Sequence, residues 1–246
     1  MIGNKKVVVV MPAYNAEKTL LETYQEIPMN IVDQVILVDD SSSDETVRVA
    51  EKLDLDIILH PENQGYGKNQ KTCYDEALNQ GADIIVMLHP DYQYPPQLIT
   101  AMCQLIASGQ FDVMLASRIL GGKALKGGMP IYKYIANRVL TLIQNIFFGT
   151  KISEFHTGYR AFSSKVLRAV HYDSNSDDFV FDNQLLAQII HKRFKIGEIS
   201  CPTRYFPEAS SINFFRSIIY GIGCLKVSFQ FRLSRWGIIK TRLFHD

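Results

Sequence analysis

The chain has 246 residues, 47% of them hydrophobic and 21% charged, which is enough apolar material for one large globular domain. The net charge of +1 gives no overall polyanion-binding field, so we do not expect a nucleic-acid partner. The four cysteines show no zinc-binding spacing, the start lacks a signal-peptide core, and no stretch reaches the roughly 20 apolar residues of a membrane span. We therefore expect a cytoplasmic protein with reduced thiols.

Short apolar runs alternate with helical patterns along most of the chain. Strands are predicted at 7–11, 35–38, 57–59, 84–88, 113–116 and 196–199. Helices are predicted at 17–26, 47–53, 69–80, 95–108, 130–148, 183–193 and 212–231, whereas 153–162 is polar and irregular. This alternation predicts an α/β fold with a mostly parallel sheet and right-handed crossovers.

The apolar run at 84–88 ends abruptly in a polar turn that carries His89, Asp91 and Gln93. Open α/β folds bind their ligands at the carboxyl ends of the strands. Alternate side chains of an extended segment share one face, so all three residues could reach one cation. The sequence therefore predicts a metal site at this strand end, followed by a helix that begins at two prolines.

The loop after the first strand argues against an ordinary dinucleotide-binding enzyme. That fold needs a glycine fingerprint at this place, but residues 12–15 contain no glycine. The later segment 65–70 lacks both the third glycine of the fingerprint and the Ser or Thr of a phosphate-binding P-loop. A nucleotide site built differently remains, in which Tyr14 could stack on a base and Asp39 or Asp40 could accept a hydrogen bond from a base or ribose. The structural alternatives are packing for Tyr14 and a helix cap for Asp40.

Several motifs in a fixed order resemble one enzyme family. The segments PAYNAE (12–17) and VDDSSSD (38–44), together with Asp91, resemble the family 2 inverting glycosyltransferases with the GT-A fold. The segments ASR (116–118) and HTGYRAF (156–162) are similar to the dolichyl- or polyprenyl-phosphate sugar transferase branch of that family. The resemblance covers about 7–211 and implies a Rossmann-like, mostly parallel sheet flanked by helices.

The resemblance also implies roles for individual residues. The nucleotide would be held by Pro12, Tyr14, Glu17, Asp39, Asp40 and Lys68. The donor diphosphate or an acceptor phosphate would be faced by Arg118, Arg160 and Arg204. A divalent cation, Mn²⁺ or Mg²⁺, would lie at Asp91 and Gln93, with His89 in place of the first carboxylate of the family's D-x-D motif. An imidazole suits Mn²⁺ or Zn²⁺ better than Mg²⁺, so His89 could ligate the cation, hydrogen-bond a diphosphate or simply fill the strand end.

The implied chemistry is a direct displacement at the anomeric carbon, in which the metal and the arginines stabilise the departing nucleoside diphosphate. A hydroxyl acceptor would need a general base, whereas a phosphate acceptor is already anionic. Asp182 is the first candidate for a base, and Asp91 and Arg160 complete the predicted catalytic set. Alternative bases are Asp177, Asp178, Glu154 and His156. Asp182 opens an apolar helical pattern, so it could equally serve as a cap.

The C-terminal part of the chain is basic and amphipathic. We divide the chain into a GT-A domain at 1–211 and a basic helical segment at 212–246, with 204–211 as a loop that closes over the acceptor. The apolar stripe of the helix, its flanking cations and Trp236 resemble an interfacial helix that lies on a membrane. The alternative is a helix that packs on the catalytic domain or across a homodimer.

Together these observations predict a metal-dependent inverting glycosyltransferase that uses a UDP- or GDP-linked sugar donor. The acceptor that the resemblance implies is a polyprenyl phosphate, reached by peripheral contact with the inner face of the membrane. The alternative is a degenerate glycosyltransferase-like module that binds nucleotides or recruits a partner without turnover. His89 favours this alternative, whereas Asp39, Asp91, Arg118 and Arg160 argue against it.

Overall fold

A sheet of seven strands organises the computed structural model, which describes residues 1–122, 124–205 and 214–244. The strands are β1 (Val7–Ala13), β2 (Gln34–Asp39), β3 (Asp56–Leu59), β4 (Ile84–Met87), β5 (Val113–Ser117), β6 (Arg160–Ser163) and β7 (Ile196–Ser200). Their order across the sheet is β3-β2-β1-β4-β6-β5-β7. Every neighbouring pair is parallel except the pairs that β6 makes with β4 and β5. The predicted mostly parallel α/β sheet is confirmed.

Helices cover both faces of this sheet. They are α1 (Leu20–Gln25), α2 (Thr46–Lys52), α3 (Tyr66–Asn79), α4 (Ile99–Ala107), α5 (Ile131–Phe148), α6 (Ser164–Ala169), α7 (Phe181–His191) and α8 (Phe214–Arg235). Single 3₁₀ turns lie at Pro96–Leu98, before α4, and at Tyr172–Ser174. Within the ranges that the structure describes, no helix combines the length and the apolar character that crossing a bilayer requires.

The strands are buried on both faces, which explains why their sequences are apolar without alternation. In β1, Val8 and Val10 pack into one core, and Val7 and Val9 pack into the other. The first core includes residues of α3, α7 and α8, and the second includes residues of α1, α2 and α4. Because helices pack on both of its faces, the sheet is a rigid support for the loops at its carboxyl edge.

The segment 153–162 was predicted to be irregular, and this prediction is wrong at its end, where β6 begins at Arg160. The strand is only four residues long and starts with a charged side chain, so its sequence gives no clear strand pattern. Because β6 runs antiparallel to β4, Arg160 pairs with Met87 at the carboxyl end of β4. The residues that precede β6 are thereby brought beside His89.

Helices α5 and α8 pack against each other and form one end of the molecule. The rings of Phe147 and Phe229 lie 4.7 Å apart, as do those of Phe148 and Phe231. On its inner side α8 buries Phe231 in the core, so this helix packs against the α/β core along part of its length. The predicted domain boundary at 211/212, and residues 206–211 of the predicted acceptor loop, lie outside the described residues.

Candidate active site

Two loops at the carboxyl ends of β1 and β2 are tied together by hydrogen bonds. The Asn15 amide donates to Ser42 Oγ at 2.8 Å, and the Glu45 amide donates to Glu17 Oε2 at 2.9 Å. Asp39 is buried and accepts hydrogen bonds from the Ser42 amide at 2.8 Å and from Ser42 Oγ at 2.5 Å. Glu17 and Asp39 therefore both contribute to the rigidity of the predicted nucleotide site.

The other predicted nucleotide-binding residues lie at the same edge of the sheet. Pro12 is buried within β1, where it pairs with Val38, and the next pair along joins Ala13 to Asp39. Tyr14 follows directly and is 55% exposed, so its ring face is open for stacking against a base. Lys68 is partly buried in the first turn of α3.

Asp40 has a different environment from Asp39. Its Oδ1 accepts hydrogen bonds from His60 Nδ1 at 2.7 Å and from the Gln64 amide at 2.9 Å, and its Oδ2 accepts from the Gly65 amide at 2.9 Å. Gly65 has a φ of +97°, a conformation that favours glycine. Asp40 thus orders the loop that leads into α3, and through that loop it positions Lys68.

His89, Asp91 and Gln93 do not lie in an extended segment, and the premise that they alternate along a strand is wrong. Strand β4 ends at Met87, and the chain then turns so that Tyr92 adopts a φ of +55°. All three side chains nevertheless line one cavity of about 610 Å³ at the sheet edge. Within the described ranges, no group of three or more His, Cys, Asp or Glu side chains could hold a metal ion.

Tyr66 and Gly158 lie against the Nε2 edge of the His89 ring. Tyr66 OH lies 3.2 Å from His89 Nε2, and the two rings stack with their planes 10° apart. A Cβ atom on Gly158 would lie 2.7 Å from His89 Nε2, so the absence of a side chain at residue 158 allows the histidine ring its place. Glycine is therefore required at this position of the HTGYRAF segment.

Asp182 lies beyond Tyr66, in the first turn of α7, and makes no capping hydrogen bond there. Tyr66 OH donates to Asp182 Oδ2 at 2.7 Å, and Gln70 Nε2 donates to Asp182 Oδ1 at 3.3 Å. Burial, the charge of Asp182 and this hydrogen bond together raise the pKa of Tyr66 well above its usual value. The phenol is therefore a neutral donor, and both oxygens of Asp182 already have partners within the protein.

The Arg160 guanidinium is 1% exposed and is directed into the protein. Its Nε donates to the Thr157 carbonyl at 2.8 Å, its Nη1 to the Asp182 carbonyl at 2.8 Å and its Nη2 to the Phe155 carbonyl at 3.0 Å. Nη1 also lies 3.5 Å from Asp182 Oδ1. Arg160 therefore fixes the loop before β6 and the start of α7.

Arg118 lines the cavity and is held by Glu154. Arg118 Nε donates to Glu154 Oε1 at 2.7 Å, and Nη2 donates to the same oxygen and to the His156 carbonyl. Nη1 donates to Tyr205 OH at 3.1 Å, which fastens residue 205 to the cavity. Burial would raise the pKa of Glu154, but the guanidinium of Arg118 holds it below its ordinary value. Glu154 is therefore the counter-ion of Arg118, a role that leaves it unsuited to accept a proton.

Two further basic side chains line the cavity beside Arg118. Burial and the nearby charge of Arg118 lower the pKa of Lys133, a residue that the sequence reasoning missed. His156 Nδ1 lies 2.8 Å from Tyr220 OH, and its buried Nε2 has no hydrogen-bond partner among the described residues. Burial lowers the pKa of His156 to about 4. Lys133 could have been noticed as a cation in the first turn of a helix that follows a glycine-rich loop.

The remaining predicted residue, Arg204, lies at the rim. Its guanidinium carbon stands 5.0 Å from the centre of the Tyr92 ring, and its amide donates to the Gln93 carbonyl at 3.2 Å. The opposite wall of the cavity is apolar and comes from α5, α8 and the residues before α5. It is lined by Met129, Leu140, Ile218, Ile222 and Leu225. One cavity thus joins the strand-end residues to an apolar wall.

A sheet edge of this form, with acidic side chains after β2 and β4, defines an α/β enzyme that binds its ligands at the carboxyl ends of the strands. Residues 8–170 match the profile of the family described as "Glycosyl transferase family 2". The chain belongs to that family and is a glycosyltransferase.

Related sequences and structures agree with this assignment. The UDP-N-acetylglucosamine–dolichyl-phosphate N-acetylglucosaminyltransferase of Methanococcus voltae is 26% identical over 83% of this chain and 88% of the relative. The undecaprenyl-phosphate mannosyltransferase of Micrococcus luteus is 24% identical over 69% and 71%, respectively. The crystal structure of glucosyl-3-phosphoglycerate synthase from Mycobacterium tuberculosis with UDP has a TM-score of 0.74 over 97% of this chain and 82% of that chain, at 17% identity. The predicted GT-A fold is thereby confirmed.

Proposed function

We propose that this glycosyltransferase moves a sugar, with inversion and with the help of a divalent cation, from a UDP- or GDP-sugar to the phosphate of a polyprenyl phosphate. The observation that carries the proposal is the form of the cavity. Its lining combines the strand-end residues His89, Asp91 and Gln93, the basic side chains of Arg118 and Lys133, and apolar residues of α5 and α8. A donor diphosphate, an acceptor phosphate and an isoprenoid chain would each meet matching chemistry.

The donor end of the cavity lies at the strand end of β4, and the predicted nucleotide-binding residues Pro12, Tyr14, Glu17, Asp39, Asp40 and Lys68 are not part of its lining. We assign base stacking to Tyr14 and a ribose or base hydrogen bond to Asp39, with Pro12 and Glu17 fixing the loop. Asp91 and Gln93 supply a carboxylate and an amide oxygen, and His89 supplies an imidazole, which together suit Mn²⁺. When bound, the cation would neutralise the charge that builds on the departing diphosphate. A set of three protein donors also leaves coordination positions for phosphate oxygens.

The acceptor end is formed by Arg118, Lys133 and His156. Glu154 balances the charge of Arg118, but in the described part of the chain no carboxylate forms an ion pair with Lys133. The cavity therefore has an excess of positive charge where a phosphate monoester would lie.

A phosphate acceptor removes the need for a general base, because its oxygen is already a nucleophilic anion. The contacts of the candidate bases agree with a reaction that needs no general base. Asp182 has hydrogen bonds on both oxygens, and Glu154 is the partner of Arg118. We therefore assign Asp182 and Arg160 to positioning, and Asp91 to holding the cation that would stabilise the leaving group.

The apolar wall supports a lipid acceptor, as do the printed names of the relatives from Methanococcus voltae and Micrococcus luteus. The helices α5 and α8 that supply this wall also expose large apolar side chains, among them Ile135, Leu142, Ile146, Ile219 and Phe215. Neither helix contains an Asp or Glu, whereas both carry Lys and Arg. This combination suits an anionic lipid surface, and we propose peripheral contact with the inner face of the membrane.

The acceptor is tested by comparing two phosphorylated compounds in the presence of Mn²⁺ and a panel of UDP- and GDP-sugars. We expect transfer to a polyprenyl phosphate in detergent and none to 3-phosphoglycerate, the acceptor that the name of the structural neighbour indicates. Transfer to 3-phosphoglycerate alone would contradict the lipid acceptor. Loss of the donor sugar to water without transfer to either compound would also count against it.

A further inference from the structure

We propose that Tyr66 is a positioning residue that fixes the tautomer of His89, so that the unprotonated Nδ1 faces the donor-diphosphate end of the cavity. The inference rests on the proposed function only in assigning a ligand to that nitrogen. It concerns residue 89, where this chain has a histidine and the D-x-D motif of the family has an aspartate. A carboxylate accepts in every orientation, whereas a neutral imidazole accepts only through the nitrogen that has no proton.

The direction of the hydrogen bonds determines which nitrogen has the proton. Tyr66 has one hydroxyl hydrogen, and it is donated to Asp182 Oδ2 at 2.7 Å, because an ionised carboxylate can only accept. The contact of 3.2 Å between Tyr66 OH and His89 Nε2 then requires Nε2 to be the donor. The proton of His89 is therefore on Nε2, and Nδ1 keeps its lone pair.

The carboxylate that sets this direction is itself fixed. Gln70 Nε2 donates to Asp182 Oδ1 at 3.3 Å, and Arg160 Nη1 lies 3.5 Å from the same oxygen. Oδ2 is consequently the oxygen that faces Tyr66. The chain of contacts runs from Arg160 and Gln70 through Asp182 and Tyr66 to His89, so buried groups of α3, β6 and α7 control a side chain after β4.

The Nδ1 edge of the His89 ring is the edge away from Tyr66 OH and Gly158. The Nε2–Cδ2 edge faces Gly158, whose hypothetical Cβ would be 2.7 and 2.9 Å from these two atoms. In the described part of the chain His89 Nδ1 has no hydrogen-bond partner, and it is not among the buried atoms that lack one. His89 also lines the cavity together with Asp91 and Gln93. Nδ1 is thus the nitrogen available to a cation or to a donor on the substrate.

Histidines that bind metals are commonly oriented by a hydrogen bond from the other ring nitrogen, and loss of such a partner typically costs about 10–100-fold in metal affinity. Tyr66 would serve His89 in this manner. The variant Tyr66→Phe removes the hydroxyl and keeps the ring, which stacks on His89 and packs at a tilt against Phe179. The matched control is Tyr172→Phe, which removes the hydroxyl of another buried tyrosine that donates to Asp75 and contacts no member of this chain of contacts.

The tautomer is measured directly on the metal-free full chain by long-range ¹H–¹⁵N correlation spectra of histidine-labelled protein, with the His89 signal assigned by its loss in His89→Gln. We expect the Nε2–H tautomer in the parent protein and in Tyr172→Phe, and a mixture in Tyr66→Phe. In Asp182→Asn the amide group should donate to Tyr66, so that the phenol donates to Nε2 and His89 changes to the Nδ1–H tautomer. An Nδ1–H tautomer in the parent protein, or an unchanged tautomer in both Tyr66→Phe and Asp182→Asn, would overturn the proposal.

A second measurement separates this inference from the proposed function. Calorimetric titration with Mn²⁺ in the presence of UDP, and separately of GDP, should show about 10–100-fold weaker Mn²⁺ binding in Tyr66→Phe and no change in Tyr172→Phe. Unchanged Mn²⁺ affinity in Tyr66→Phe would refute the link between the tautomer and the cation. If the parent protein binds no Mn²⁺ with either nucleotide, the proposed metal-dependent function fails, while the spectra still decide the role of Tyr66.

Discussion

The close contact between Gly158 and His89 makes Gly158→Ala a sharp test of the site. The added methyl would lie 2.7 Å from His89 Nε2, whereas ordinary contacts begin at 3.4 Å, so the ring must move by about 0.7 Å. The φ of Gly158 lies outside the left-handed region, so alanine strains the ring contact and leaves the backbone unstrained. Displacing a positioned catalytic group by nearly 1 Å lowers the reaction rate by about 100-fold. Overpacking lowers the free energy of unfolding by about 1–3 kcal/mol.

We therefore expect kcat/KM for sugar transfer to fall by about 100-fold in Gly158→Ala, with a folded protein and a modestly lower Tm. The matched control is Gly221→Ala, which also lines the cavity but places its methyl at an ordinary 3.6 Å from Leu140 Cδ1. Steady-state kinetics and thermal unfolding of both variants give the comparison. Parent-like kcat/KM in Gly158→Ala would refute the claim that the position of His89 matters for the reaction.

Three further predictions address the metal, the acceptor end and the membrane. Asp91→Asn should lower kcat/KM by about 100-fold or more and remove the Mn²⁺ dependence of UDP binding in calorimetry, and full activity would place the metal elsewhere. Burial lowers the pKa of His156 from 6.5 to about 4, so its neutral form stabilises the fold above pH 6.5 and this contribution is lost as the pH falls toward 4. In His156→Gln the acid-induced fall of stability over this window should shrink by up to about 3 kcal/mol in pH-dependent denaturant unfolding, and an unchanged profile would contradict the burial argument. Ile219→Glu, at a site 66% exposed on α8, should weaken sedimentation with anionic vesicles by about tenfold or more, whereas Leu59→Glu, 57% exposed on β3, should not. Parent-like vesicle binding with loss of a dimer would assign the face to a homodimer.

The features that the sequence predicted well are those set by local patterns. Buried strands such as β1 and β4 are continuous apolar runs, and a polar residue at the end of such a run lies at the sheet edge. Asp39 and Asp91 could therefore be placed from the sequence alone. Motifs carried by these strand ends also led to the family, because the nucleotide-binding loops follow β1 and β2 directly.

The features that the sequence missed depend on tertiary contacts. Tyr92 adopts a left-handed conformation, which the local sequence disfavours, and its hydroxyl donates to Glu26. The roles of Tyr66 and Gly158 exist only because α3, β4 and the segment before β6 meet at one point. Lys133 lines the cavity because α5 and α8 both contribute residues to its wall. No local sequence pattern predicts these tertiary contacts.

The central claim is that one cavity holds the donor diphosphate at the strand ends and an isoprenoid chain against α5 and α8. Its most direct test is the dependence of kcat/KM on acceptor length, measured with a series of isoprenoid monophosphates of increasing chain length at constant detergent. We predict that kcat/KM rises with each added unit until the apolar wall is covered, and that this rise is reduced in Leu225→Ser, which removes part of the wall. A kcat/KM that is independent of chain length would contradict the account.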